Sequence, residues 1–312
     1  MLSRTADNLF WTARYMERAD YLARILDSAQ RLSAMPAAYG GQNLWESVIA
    51  SAGAAEAFHA KHETANETTV RDFLAFDPEN PSSIWSCLAI ARANGRAVRT
   101  ALTTEMWECI NDAWHELQRQ NSGKMGRESF TQFLEWVENV TLAFDGSARR
   151  TMLRNDAYWF LRLGGVVERA DNTARILDVK YHLLLPAREE VGGGLDYFQW
   201  TTILREVSAL TAYHWVYRDS VKPWLVADLL ILNPQMPRSL ASCYEVVAHH
   251  LDLLADAYGK RGPSQRLAHG VRGRLSAARI EDIFQSGLHE FITGFLGDNA
   301  DVSAAIAEQY LI

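Results

Sequence analysis

Two short stretches hold the residues most able to do chemistry. Glu17-Arg18-Ala19-Asp20-Tyr21-Leu22-Ala23-Arg24-Ile25-Leu26-Asp27 recurs as Glu168-Arg169-Ala170-Asp171-Asn172-Thr173-Ala174-Arg175-Ile176-Leu177-Asp178, identical at nine of eleven positions. On a helix turning about 100° per residue, Glu17, Asp20, Arg24 and Asp27 fall within a sector of roughly 80°. Glu168, Asp171, Arg175 and Asp178 repeat the pattern, and Arg14 and Arg18 flank the first set. Exposed pairs at i,i+3 and i,i+4 contribute only about 0.2–0.5 kcal/mol each, so many residue combinations would serve a solvated face equally. Both copies nonetheless keep the same Glu, Arg, Asp, Arg and Asp while much of the surrounding chain differs. This predicts charges that face a cleft or an interior.

Three chemistries suit such a face. Glu17 and Glu168 are candidate acid/base groups of an enzyme, with Arg18, Arg24, Arg169 and Arg175 as clamps on an anionic, peptide-like substrate. Alternatively Glu17, Arg18, Asp20, Arg24, Asp27 and their counterparts Glu168, Arg169, Asp171, Arg175 and Asp178 satisfy one another as a structural charge network. A carboxylate-bridged metal is the weakest option. Helical di-metal sites add a Glu-x-x-His motif from each of two helices, this chain has only Glu56-Ala57-Phe58-His59, outside the repeated stretches, and the arginines oppose a cation. No metal ligand is therefore assigned.

The remaining candidates are weaker. His59 and His62, and the adjacent His249 and His250, have no companion ligands at zinc spacing. No Gly-x-Ser-x-Gly elbow, Walker loop or dinucleotide glycine loop occurs, and no cofactor is expected. Arg261, Arg266, Arg272, Arg274 and Arg279 surround a stretch, 259–273, read here as an exposed basic loop.

The elements that must position these residues are helices. Trp107, Ile110, Trp114 and Leu117 recur at helical spacing, as do Phe130, Phe133, Leu134, Val137 and Val140. Breaks are expected at 36–42, 77–81, 120–126, 186–195, 233–237 and 259–273. The duplication extends beyond the charged motif. The block 72–84 pairs with 228–240, Ser86-Cys87 with Ser242-Cys243, Trp45 with Trp200, and Ala57-Phe58 with Ala212-Tyr213. Order is kept, with offsets of 151, 155 and 156 residues. The expected fold is all-α, an internally duplicated helical bundle with pseudo-two-fold symmetry. Its repeats are 1–150 and 151–312, packed as one globular unit. In the repeated Pro block, Asn80 is expected to cap a helix with Pro81 at its first position.

Bulk composition narrows the function classes. Hydrophobic residues make up 48% and charged residues 22% of 312, a globular balance with no sign of disorder. A net charge of −7 opposes nucleic-acid binding. Cys87, Cys109 and Cys243 form no CxxC pair and suit a reducing compartment. No apolar run reaches membrane-spanning length and no signal-peptide core opens the chain, so a cytoplasmic location is expected.

At its charged motifs the chain resembles the bacterial alpha-E family, helical proteins named for a Glu-Arg motif. Residues 9–27 and 167–185 carry the resemblance, with 91–111 and 229–239 as further signatures. Two positions depart from the pattern. The Gly-Arg usual before Glu-Arg appears as Ala13-Arg14 and Gly164-Gly165, and Ala93 stands where a Glu is expected. The resemblance implies a companion of circularly permuted ATP-grasp ligases and transglutaminase-like proteins. It thus implies an accessory or scaffold role in amide or peptide-bond formation or peptide modification, without independent catalysis. The enzyme with a Glu/Arg/Asp cleft and the purely structural network stay open beside it.

Overall fold

The computed structural model describes residues 1–34, 44–120, 125–182 and 194–311, and the described residues contain helices and no strand. The expected breaks at 36–42, most of 120–126 and most of 186–195 lie outside them. The first part of the chain forms α1 (Ser3–Ser33), α2 (Leu44–Ser51), α3 (Ala55–His59), α4 (Glu67–Arg71), α5 (Ile84–Ala97), α6 (Thr104–Leu117) and α7 (Arg127–Thr151). The second forms α8 (Asp156–His182), α9 (Gly194–Glu206), α10 (Leu210–Tyr217), α11 (Pro223–Ile231), α12 (Leu240–Tyr258), α13 (Pro263–Ala277), α14 (Ile280–Ser286) and α15 (Leu288–Ile306). A π-helical turn, Ala307–Leu311, follows α15 and packs against α1.

The packing has two closed circuits of four helices. Helix α1 touches α5 and α7, and α6 bridges those two. Helix α8 touches α12 and α15, and α13 bridges those. The circuits meet because α1 and α8 pack on each other. Helix α2 also rests on α8 and α9 on α1, so each circuit's short helices lean on the other's long one. One continuous cluster of buried apolar side chains runs through both circuits, from Ala6 to Leu311. Helix α1 is therefore buried on nearly every side, and its charged stripe lies inside the protein.

Local chemistry sets the helix ends. Ser83 caps α5 by accepting from Ser86 N at 3.1 Å, and Ser239 caps α12 from Ser242 N at 3.0 Å. The expectation that Asn80 caps this helix is corrected: the helix begins at Ile84. Asn80 is buried instead in the preceding turn, donating to Phe73 O at 2.9 Å and accepting from Ser82 N at 3.0 Å. Its short amide satisfies the turn's own backbone, which leaves the cap to a serine three residues later. The basic stretch 259–273 is corrected likewise. Only its first residues are irregular: Gly259 closes α12 with φ 65°, and Pro263 opens α13. Ala268, Val271 and Leu275 then bury one face of α13, which outweighs the helix-weakening Gly270 and Gly273. Its arginines find acids on neighbouring helices, Arg261 with Asp252 at 3.3 Å and Arg274 with Asp298.

Helices α1 and α8 come unusually close where Gly164 faces Phe10. A Cβ at 164 would run into the Phe10 carbonyl, so only glycine permits this approach. Gly165 is less crowded, with Ala13 Cβ at 3.8 Å from the position of an added methyl. The close crossing lets side chains one turn further along reach across the interface.

Candidate functional site

The crossing joins the two Glu-Arg dipeptides reciprocally. Arg169 donates to both oxygens of Glu17, Nε to Oε1 at 2.8 Å and Nη2 to Oε2 at 2.7 Å. Arg18 Nε donates to Glu168 Oε1 at 2.6 Å. Each glutamate also takes a second guanidinium. Arg238 Nη1 reaches Glu17 at 3.1 Å, and Arg14 Nε reaches Glu168 Oε2 at 2.7 Å. These second donors come from unlike places. In the paired blocks Ser82 stands where Arg238 does, and Gly165 where Arg14 does. Each position that lacks the arginine in one copy is compensated by a different position in the other.

The aspartates divide. Asp20 joins the Glu17 network: Arg24 binds it through Nε at 2.9 Å and Nη2 at 3.0 Å, Arg238 at 2.8 Å and Thr141 at 3.1 Å. Arg24 extends the network to Glu138 and to the Ser208 hydroxyl, both at 3.0 Å. Asp171 pairs within its own helix with Arg175 at 2.6 Å. Asp27 pairs with the exposed Arg31 at 2.7 Å, and Asp178 meets His289 at 2.6 Å on α15. The structure thus brings Glu17, Arg18, Asp20, Arg24, Glu168 and Arg169 together. It leaves Asp27, Asp171, Arg175 and Asp178 in separate pairs around them.

Burial and charge fix the state of this cluster. Glu17 is 9% and Glu168 2% exposed. Burial alone would raise the Glu168 carboxyl, but Arg14 and Arg18 outweigh it and hold it below its ordinary range. Burial likewise opposes ionisation of Asp20, and Arg238 and Arg24 overcome it to hold that group far down. Guanidinium groups bind both oxygens of each glutamate. A proton transfer at either would first have to break a buried ion pair. Cys87 and Cys243 lie beside the two clusters, and burial pushes both thiols up to about 12, which keeps them as inert thiols.

Two cavities open beside this buried centre. One, of about 320 Å³, lies along Arg24, Asp27, Ser28, Glu138 and Glu206. There burial pushes the Glu206 carboxyl up to about 7, the Ser28 hydroxyl opposes that and the Asp27 charge reinforces it. The other, of about 170 Å³, lies between Arg18, Ser82, Asn172 and Arg175. Sequence reasoning placed Arg14 beside the motif but missed Arg238, Asn172 and Glu206. Arg238 was visible only as the one position of the repeated Pro block at which the second copy gains a charge. Glu206 had no signal at all, because its setting is made by residues far away in the chain. Among the described residues, no group of three or more His, Cys, Asp and Glu is placed to hold a metal ion.

Comparisons with known proteins place this geometry in context. The Alpha-E family, described as a predicted alpha-helical domain with a conserved ER motif, matches residues 1–311. An uncharacterised protein of Mycobacterium bovis and two of Mycobacterium tuberculosis strains are 23% identical over 333 residues, an alignment covering 97% of this chain. The chain spans only about a third of the length of those relatives, 36%. No solved structure matches. Glu17-Arg18 and Glu168-Arg169 are two such ER dipeptides, bound to each other at the helix crossing, and the chain belongs to the Alpha-E family.

Proposed function

We propose that this chain is a non-catalytic helical scaffold that acts beside an ATP-grasp-type ligase in amide or peptide-bond formation or peptide modification. The carrying observation is that both motif glutamates are buried and each is held by two arginines. A buried ion pair of this kind gives little net stability but fixes one arrangement of the helices that carry it. The motif then serves to set the geometry of a docking body. The length of the mycobacterial relatives supports a unit that works joined to, or next to, further protein. The ligase partnership itself follows from the family resemblance, with a transglutaminase-like protein as the other partner class. Three free thiols suit a cytoplasmic setting.

The same reading includes an internal duplication about a pseudo-two-fold axis, with repeats 1–150 and 151–312. Several paired geometries support it. Gly53 and Ser208, offset by 155 residues, both have left-handed φ, 64° and 54°. Asp77 N bonds Asp72 O at 2.9 Å and Asn233 N bonds Asp228 O at 3.2 Å, the same wide turn ahead of each proline. Arg24 meets Ser208, and Arg175 lies over Gly53.

The test is to co-express the chain with an ATP-grasp ligase encoded in the same genome. Co-purification, ATP-dependent amide formation that needs both proteins, and no turnover by the chain alone are expected. Turnover by the isolated chain that is abolished in Glu17→Gln or Glu168→Gln would instead establish the enzyme reading. A ligase that neither binds the chain nor changes its activity would refute the partnership.

A further inference from the structure

We propose that the cavity walled by Arg18, Ser82, Asn172 and Arg175 binds the carboxylate of a small monocarboxylic acid. It goes beyond the scaffold reading and does not depend on any ligase partner. The cavity measures about 170 Å³, far more than one water requires. Its donors are in surplus. Asn172 is 5% exposed, and its amide Nδ2 has no hydrogen-bond partner. That N–H is closed to water, so it meets a ligand oxygen only when the Asn172 side chain turns into the cavity, and the cost of leaving it unpaired favours that turn. Arg18 uses its Nε on Glu168 and one Nη on Ser82 at 3.2 Å. Arg175 uses its Nε on Asp171, and its terminal nitrogens lie at Gly53, where a Cβ would stand 2.9 Å from Nη1. The glycine thus leaves room for the guanidinium at the cavity wall. Arg24 offers a contrast, since Glu138 and Ser208 already occupy its head group.

Charge selects the ligand. Glu168 and Asp171 on the wall are opposed by Arg18 and Arg175, with Arg14 on the other oxygen of Glu168. That leaves one positive charge in excess, which one carboxylate neutralises and a phosphate dianion would overshoot. Leu22, Leu74 and Ala52 complete the wall with apolar surface suited to a short aliphatic or peptide-like stem.

Saturation-transfer NMR on the isolated full chain tests this, with acetate and N-acetylglycine as probes, phosphorus-NMR line broadening of inorganic phosphate as a second arm and chloride at matched ionic strength as control. Saturable binding of both carboxylates in the low-millimolar range is expected. Arg175→Gln and Asn172→Leu should each weaken it by about tenfold or more, with circular dichroism confirming the fold. Arg175 is the more exposed of the two, so its variant carries the test if Asn172→Leu fails to fold. Absence of saturable carboxylate binding, binding of phosphate with the carboxylates silent, or unchanged affinity in Arg175→Gln would each overturn the assignment.

Discussion

Replacing Arg169 with leucine measures what the helix crossing depends on. The substitution keeps much of the buried aliphatic volume but removes both hydrogen bonds to Glu17, at 2.8 and 2.7 Å. Glu17, 9% exposed, then keeps only Arg238 at 3.1 Å, a donor it shares with Asp20. Removing one partner of a buried ion pair costs about 3–5 kcal/mol, and the surviving Arg238 contact places this case near about 3. For a chain of this size that corresponds to a fall in melting temperature of roughly 4–5 °C. Arg31→Leu is the control. Its side chain is 66% exposed and pairs with Asp27 within one helix, so it should cost about 0.5 kcal/mol or less. The double variant Glu17→Leu with Arg169→Leu removes the stranded charge and should recover part of the loss, with a coupling of about 1–3 kcal/mol. Thermal unfolding followed by circular dichroism reads the native protein, these three variants and Glu17→Leu alone, which closes the cycle. Equal, small shifts for Arg169→Leu and Arg31→Leu would refute the view that the motif is a buried clamp.

Three further outcomes follow from the geometry. Gly164→Ala drives a methyl into the Phe10 carbonyl and should cost about 1–3 kcal/mol or more, whereas Gly165→Ala should be neutral or gain up to about 1 kcal/mol of helix propensity in the same melting assay. Because Glu168 and Asp20 are held below their ordinary values of 4.5 and 3.8, the stability they provide is present above those values. It is lost as pH falls through the depressed ones, and Glu168→Gln should show a shallower acid limb in urea unfolding along with lower stability at neutral pH. Glu206 has the opposite sign: raised from 4.5 to about 7, its folded state binds the proton more tightly, so stability falls as pH rises through that window. Glu206→Gln should remove that slope and, by roughly 1 kcal/mol, exceed the native protein's stability at mildly alkaline pH; an unchanged slope would show that Asp27 and Ser28 do not surround the carboxylate as described.

The sequence alone determined the helical class and the repeated charged stretches, because both are written in local spacing. Apolar residues every three or four positions, as at Phe130 to Val140, encode helices without reference to the rest of the chain. Nine identities in eleven positions pointed to charges that solvent exposure would not demand. Local rules also misled where two signals competed. Gly270 and Gly273 argued for a loop, but the apolar face of Ala268, Val271 and Leu275 decided for a helix. Asn80 looked like a cap and became a turn ligand. Only the tertiary structure decided which carboxylate meets which guanidinium. Glu17 finds Arg169 from 152 residues away and Arg238 from 221, and no spacing rule links them. Gly164 permits that meeting by letting two backbones touch, and burial then turns what would be weak surface pairs into obligatory ones, since a charge taken out of water must be matched by another.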